Sequence, residues 1–111
     1  MKIPLVNLDK QHKVIRNEIY KSIKKVIDSN SFILGEEVSR FEKSFAEFCG
    51  SKYCVAVDSG TSALELSLQS LGIKNQDEVI TVPNSFVATS FAILHVGAKP
   101  VFIDVDAESF N

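Results

Sequence analysis

A short apolar segment leads directly into small polar residues in the stretch Val55-Ala56-Val57-Asp58-Ser59-Gly60-Thr61-Ser62-Ala63-Leu64. This pattern predicts a strand, a tight turn over residues 58–62 and the start of a helix. The first backbone N–H groups of a helix have no intrahelical partner and lie at the positive end of its dipole. Because the turn also supplies a glycine and several hydroxyl groups, the sequence predicts a site for an anionic group such as phosphate.

The same turn has a second interpretation that needs no ligand. Glycine and serine are common between a strand and a helix, because the turn needs conformational freedom and the helix needs an N-cap. The chain contains neither a glycine-rich turn ending in Gly-Lys-Ser or Gly-Lys-Thr nor a Gly-x-Gly-x-x-Gly motif, so ATP, GTP and NAD are poor candidates. Local chemistry leaves both a phosphate site and a structural turn open.

Length and composition indicate one small domain. The chain has 111 residues, of which 45% are hydrophobic, and this is enough to bury a core. Residues 104–111 follow an apolar, strand-like run without the closing helix that would cover a sheet face. We therefore expect residues 1–111 to form a single, incomplete domain.

Charge and hydropathy exclude several classes of partner. A net charge of −2, with basic residues spread along the chain, gives no reason to expect nucleic acid or an anionic membrane. No apolar run approaches the roughly 20 residues of a membrane span, and residues 1–4 lack a secretory segment, so we expect a cytoplasmic protein. Cys49 and Cys54 are too few for a disulfide framework or a zinc site, which predicts buried, reduced thiols.

The spacing of apolar residues predicts two amphipathic helices in the first half of the chain. The first covers residues 11–28, and the second follows Gly35 and ends at Gly50, a C′ glycine. Glu36 and Glu37 suit the first turn of the second helix. Its apolar stripe consists of Val38, Phe41, Phe45 and Phe48.

The second half alternates between strand and helix patterns. Strand candidates cover residues 53–57, 78–82 and 100–103, and helical stretches cover residues 61–71 and 86–96. The helical stretches are followed by Gly72 and Gly97. A spacing of this kind suits two consecutive βαβ units, so the sequence predicts an α/β fold with a parallel sheet.

This topology predicts a ligand at one sheet edge. Loops that leave the C-terminal ends of parallel strands share an edge, and here those loops are residues 58–62 and 83–86. The first loop suits an anion, and the second ends in Phe86, whose ring could face a flat ligand. Together they predict a phosphorylated, planar cofactor, although an aromatic residue such as Phe86 also suits a hydrophobic core.

Several motifs follow one another along nearly all of the chain. They are Phe32-Ile33-Leu34-Gly35, Val38 to Glu42, Val57-Asp58-Ser59-Gly60-Thr61-Ser62-Ala63-Leu64, Gly72-Ile73, Asp77-Glu78-Val79-Ile80, Pro83-Asn84-Ser85-Phe86-Val87-Ala88-Thr89 and Gly97-Ala98-Lys99-Pro100-Val101-Phe102-Ile103-Asp104-Val105-Asp106. Their order and spacing resemble the N-terminal third of the DegT and StrS group of sugar aminotransferases.

The resemblance implies part of the large domain of a fold-type I enzyme that depends on pyridoxal 5′-phosphate, with a three-layer α-β-α architecture around a mostly parallel sheet. Such an enzyme moves an amino group, usually from glutamate, onto a nucleotide-linked keto sugar, for example in polysaccharide or lipopolysaccharide biosynthesis. Thr61 and Ser62, with Gly60 making room, would then bind the cofactor phosphate, and Phe86 would stack on the pyridine ring. The family also implies a homodimer.

The resemblance assigns no catalytic residue and no metal ligand to this chain. The family's Schiff-base lysine and its pyridinium carboxylate correspond to positions beyond residue 111. Lys52 and Lys99 precede strands at the opposite edge, and Asp104 and Asp106 suit turn chemistry. We therefore expect the 111-residue chain alone to be inactive. The alternatives are a stand-alone α/β module that binds a phosphorylated ligand and a non-functional remnant.

Overall fold

The computed structural model describes residues 4–110. The chain divides into two compact units, Met1–Ala56 and Val57–Asn111. The sequence patterns placed every helix of both units to within two residues at each end.

The first unit contains two helices, α1 (Asp9–Ser29) and α2 (Glu36–Cys49). As predicted, α2 ends at Gly50, which adopts a left-handed conformation with φ of 65°. Ion pairs connect the two helices. The Lys25 ammonium, on α1, donates to the carboxylates of Glu36 and Glu37, on α2, over 3.1 and 3.0 Å.

The predicted aromatic stripe of α2 is confirmed. The rings of Phe41 and Phe45 stack with centroids 5.4 Å apart, and the rings of Phe45 and Phe48 lie 6.3 Å apart. All three side chains remain exposed, and Ala46 is the buried residue of α2.

The second unit contains α3 (Gly60–Ser70), β1 (Glu78–Thr81), α4 (Ala88–His95) and β2 (Lys99–Phe102). The two strands pair in parallel, from Glu78 opposite Lys99 to Thr81 opposite Phe102, so β1, α4 and β2 form the second of the two predicted βαβ units. Helix α4 packs against α3 and against both strands. It supplies two of the unit's buried residues, Ala92 and Ile93.

Two expectations are wrong. Residues 53–57 form no strand, because no segment within residues 4–110 pairs with them, and a strand depends on hydrogen bonds to a neighbour. The Ala56 N–H instead donates to the Glu42 carboxylate over 2.8 Å. The cysteines are free, as expected, but Cys49 is exposed and Cys54 is half-buried, so neither is a core thiol.

Two functional classes receive no support within the part of the chain that the structure describes. None of its four helices has the length and apolar character needed to cross a membrane. Its histidine, cysteine and acidic side chains form no group of three or more that could hold a metal ion.

Candidate functional site

The turn at residues 59–62 forms a capped helix start. Ser59 is extended, with φ of −154° and ψ of 160°, and is the N-cap of α3. Its hydroxyl oxygen accepts the Ser62 N–H over 3.1 Å and lies 2.9 Å from the Ser62 hydroxyl. Its carbonyl accepts the Ala63 N–H over 3.0 Å, which begins the helical ladder. The sequence prediction of a turn that opens a helix is therefore confirmed.

The first two N–H groups of α3 are available to a ligand. Within residues 4–110, the backbone N–H groups of Gly60 and Thr61 have no hydrogen-bond acceptor. A Cβ atom added at Gly60 would meet nothing within 4 Å, so the backbone is not crowded at this residue. Because these donors lie at the positive end of an 11-residue helix, the turn can hold an anionic group.

The side chains around the turn differ in accessibility. Thr61 and Ser62 are half-buried, while Asp58 and Ser59 are exposed. The Asp58 carboxylate is the feature that opposes an anion here, and its exposure lets water screen that repulsion.

Phe86 lies on the second predicted loop, between β1 and α4. Its side chain is 78% exposed, so the alternative of a core aromatic does not hold within the described residues. The Phe86 carbonyl accepts the Thr89 N–H over 3.1 Å, and the hydroxyls of Ser85 and Thr89 are 2.8 Å apart. Two hydrogen bonds with Thr89, one made by the Ser85 side chain and one by the Phe86 backbone, therefore connect the loop to the first turn of α4.

The two loops have a defined structural relation. The turn at residues 59–62 opens α3, the loop carrying Phe86 opens α4, and these two helices contact each other. The second loop leaves a formed strand, β1, at its C-terminal end, whereas the segment before the first loop is not a strand. The structure therefore brings both candidate loops to the N-terminal ends of neighbouring helices.

The basic and acidic residues weighed in the sequence have structural partners. The Lys99 ammonium donates to Glu78 over 2.8 Å, and this contact raises the pKa of Lys99. The Asp106 carboxylate accepts the N–H groups of Ser109 and Glu108 over 2.8 and 3.1 Å, and these bonds lower its pKa. The prediction of turn chemistry for Asp106 is confirmed.

The structure also shows a polar contact that the sequence did not predict. His95, at the C-terminal end of α4, lies with its Nδ1 3.0 Å from a carboxylate oxygen of Glu65. The residues are 30 positions apart, so no local spacing could have revealed the pair. The hydroxyl pair of Ser85 and Thr89 was also missed, although its four-residue spacing at a helix start is a recognisable signal.

The second unit has an α/β architecture and carries a capped helix start, whose first N–H groups have no acceptor within residues 4–110, and an exposed aromatic loop, so the protein is of the α/β class. More particularly, the chain belongs to the DegT/DnrJ/EryC1/StrS aminotransferase family, because the model of that family matches residues 13–111. The resemblance seen in the sequence motifs is confirmed.

Known relatives and solved structures agree with this assignment. The chain is 44% identical over 95 residues to the dTDP-3-amino-3,4,6-trideoxy-alpha-D-glucose transaminase of Micromonospora megalomicea subsp. nigra, covering 86% of this chain and 25% of the relative. It matches the crystal structure of a DegT DnrJ EryC1 StrS aminotransferase from Brucella abortus with a TM-score of 0.92 and 36% identity, covering 98% of this chain and 29% of that one.

A third comparison concerns a structure solved with a cofactor. NtdA from Bacillus subtilis with bound cofactor PMP matches with a TM-score of 0.85 and 31% identity, over 95% of this chain and 24% of that one. The described residues therefore carry part of the α/β fold of type I pyridoxal-phosphate aminotransferases, as predicted. The chain spans 25–30% of the length of four curated relatives that it matches.

Proposed function

We propose that residues 1–111 are the N-terminal part of the large, cofactor-binding domain of a pyridoxal-phosphate-dependent sugar aminotransferase. The proposed reaction transfers an amino group, from glutamate, to a keto sugar linked to a nucleotide. The observation that carries the proposal is the start of α3, where the backbone N–H groups of Gly60 and Thr61 have no acceptor within residues 4–110 and the backbone at Gly60 is uncrowded. Family membership and relatives named as transaminases of dTDP- and UDP-linked sugars support the substrate class.

The proposal includes the setting of the enzyme. A cytoplasmic homodimer, acting in polysaccharide or lipopolysaccharide biosynthesis without a nucleic acid or membrane partner, is the form that the family resemblance favours. The relative SpsC of Bacillus subtilis, 43% identical over 98 residues, is named a spore coat polysaccharide biosynthesis protein, which supports that kind of pathway.

The residues of the turn fit a phosphate group. The N–H groups of Gly60 and Thr61 would donate to phosphate oxygens, and the hydroxyls of Thr61 and Ser62 lie in the same turn. A hydrogen bond to a charged group contributes about 1.5–3 kcal/mol, and the helix dipole adds about 0.3–1 kcal/mol. These terms together exceed the screened repulsion expected from the exposed Asp58 carboxylate, so the turn favours an anion overall.

Phe86 fits the ring of the same cofactor. Its exposed side chain offers a flat apolar surface, and the loop that carries it is held by the hydroxyl pair of Ser85 and Thr89. Stacking on this surface would orient the ring and exclude water from one of its faces. When bound, pyridoxal phosphate supplies an electron sink for the carbanion that amino transfer requires.

Titration with pyridoxal phosphate tests the proposal. The full-length protein that contains residues 1–111 should bind the cofactor saturably, and inorganic phosphate should compete for the turn at residues 59–62. Phe86→Leu should weaken cofactor binding by about fivefold or more, because base-like stacking on an aromatic ring contributes about 1–3 kcal/mol. The matched control is Phe102→Leu, which changes another exposed phenylalanine of the same unit, on β2.

The outcomes separate the enzyme from its alternatives. Equal binding by the Phe86 and Phe102 variants would contradict the stacking role. Tight cofactor binding by the full-length protein without glutamate-dependent amino transfer would favour a stand-alone binding module. The absence of any binding to pyridoxal phosphate would overturn the proposed function and favour a remnant.

A separate measurement addresses residues 1–111 on their own. We predict no glutamate-dependent amino transfer to a nucleotide-linked keto sugar by the isolated chain, because the proposed phosphate and ring contacts supply no Schiff-base lysine and no carboxylate for the pyridine nitrogen. Clear turnover by the purified 111-residue chain would contradict this prediction.

A further inference from the structure

A side-chain contact links the two helices that the candidate loops open. Nδ1 of His95, on α4, lies 3.0 Å from Oε2 of Glu65, on α3. Since a carboxylate oxygen can only accept, Nδ1 carries the proton in this contact. Within residues 4–110 this is the one side-chain hydrogen bond between α3 and α4.

The imidazole of His95 is held from a second direction. Its ring is nearly parallel to that of Phe91, with 9° between the planes and 6.2 Å between the centroids. Phe91 lies one turn earlier on α4, so the stack fixes the imidazole on its own helix. A shift of α4 along α3 would lengthen or bend the hydrogen bond to Glu65, so this contact favours the observed axial position.

The remaining contacts between the helices are mainly apolar. A cavity of about 180 Å³ lies where α3, β1 and α4 meet, lined mainly by apolar side chains that include Leu64, Leu68, Ala92 and Ile93. Ala92 and Ile93 are buried, so their packing resists sliding of the helices, while the cavity beside them leaves part of the interface without close contact. The polar contact adds a directional restraint to this packing.

Axial position matters because the candidate loops lie at the beginnings of these helices. The phosphate turn, residues 59–62, opens α3. The Phe86 loop, residues 83–86, is bound to the first turn of α4 through the hydroxyls of Ser85 and Thr89. A slide of α4 along α3 by one residue would move Phe86 by about 1.5 Å relative to the turn. A planar cofactor whose phosphate and ring are held by different helices is sensitive to such a shift.

We propose that Glu65 and His95 are positioning residues that set the register between α3 and α4, and hence the spacing between the phosphate turn and Phe86. The inference rests on the proposed function, since it assigns both loops to one pyridoxal phosphate. Neither side chain is placed in contact with the cofactor.

The role can be separated from a purely structural one by comparing two ligands. Glu65→Ala and His95→Phe each remove the contact, and His95→Phe keeps a ring that can stack on Phe91. Each should weaken pyridoxal phosphate binding by up to about fivefold, the size expected for a partly exposed pair, without changing the affinity for inorganic phosphate. Phosphate needs only the turn of α3, whereas the cofactor needs both helices.

Rescue and coupling sharpen the test. His95→Asn places an amide N–H close to the position of Nδ1, so it should bind the cofactor within about twofold of the wild type. The double variant of Glu65 and His95 should be no weaker than either single variant, because both remove one contact. Glu78→Ala, which breaks the more exposed pair with Lys99 between the strands, is the control and should bind normally.

The possible results distinguish this inference from the function on which it rests. A wild-type polypeptide that fails to bind pyridoxal phosphate overturns the proposed function and the inference with it. Normal cofactor binding by both single variants, or an equal loss of cofactor and phosphate binding, overturns the inference alone. Should Glu65→Ala fail to fold, as judged by thermal denaturation, the comparison of His95→Phe with His95→Asn decides.

Discussion

Ser59 allows helix stability and anion affinity to be changed independently. Its hydroxyl accepts the Ser62 N–H over 3.1 Å, and this is the side-chain N-cap of α3. Ser59→Ala removes the cap, Ser59→Asn replaces it with a neutral cap, and Ser59→Asp replaces it with a charged one. Asparagine, aspartate and serine cap helices almost equally well. The three variants therefore separate capping from charge at one position.

The expected magnitudes differ for the two properties. Loss of the cap in Ser59→Ala should lower the free energy of unfolding by about 1 kcal/mol. The Ser62 N–H would then be free to reach a phosphate oxygen, so phosphate affinity should stay within about threefold of the wild type. Ser59→Asn should leave both quantities nearly unchanged.

Ser59→Asp should keep the helix stable but bind an anion much more weakly. Two unit charges about 4 Å apart repel by about 1 kcal/mol in water and about 4 kcal/mol at an effective dielectric constant of 20. Since Ser59 is exposed, the lower part of this range applies. We expect a loss of about 2 kcal/mol, which corresponds to affinity about thirtyfold weaker for phosphate and for pyridoxal phosphate.

Urea denaturation and ligand titration, performed on the same preparations, measure the two effects. The affinity lost in Ser59→Asp should shrink as salt is raised, because screening weakens the repulsion between exposed charges. Equal phosphate affinity in the aspartate and asparagine variants would refute the placement of an anion at this helix start. So would a large loss of affinity in the asparagine variant, which carries no added charge.

Two further predictions concern the first unit, one for its stability and one for a pKa. Gly50→Ala should destabilise the protein by about 1 kcal/mol in urea denaturation, because φ is +65° there, although an added Cβ would meet nothing within 4 Å. Gly60→Ala, which is equally open without a positive φ, is the control and should lose no stability; an equal loss in both would contradict the backbone argument. The Lys25 ammonium lowers the pKa of Glu37 from its ordinary value of 4.5, so the stabilising contact is complete above pH 4.5 and is lost as the pH falls through the folded-state pKa. NMR titration of Glu37 should give a pKa below 4.5 that rises in Lys25→Met, and a value at or above 4.5 in the wild type would count against the contact.

The features that the sequence predicted correctly are local ones. Gly50, Gly72 and Gly97 all adopt positive φ at or just after helix ends, as glycines that follow an amphipathic pattern are expected to do. The turn of α3 is equally local, because its capping bonds join Ser59 to Ser62 and Ala63. Such features depend on a few neighbouring residues, and a short sequence pattern is sufficient to define them.

The features that it could not predict depend on residues distant in the chain. Nothing in the residues around Phe86 distinguishes an exposed ring from a core ring, because burial is decided by elements elsewhere. The contact between Glu65 and His95 spans 30 positions and two helices, so it required the packing of α4 on α3. The burial of Cys49 was wrongly predicted for the same reason, since residue type alone does not specify which face of α2 is covered.

The same division between local and distant contacts explains why the phosphate turn forms although the segment before it, residues 53–57, does not become a strand. A strand at residues 53–57 needs a ladder partner, and residues 4–110 supply none, which leaves Tyr53 75% and Val55 78% exposed. The turn needs only its N-cap residue, Ser59, and the first residues of α3. Phosphate binding by the turn should therefore depend on the start of α3 alone, whereas holding a ring beside that phosphate depends on how α3 and α4 pack. We therefore expect the affinity for phosphate and the affinity for the whole cofactor to respond separately to substitutions in this chain.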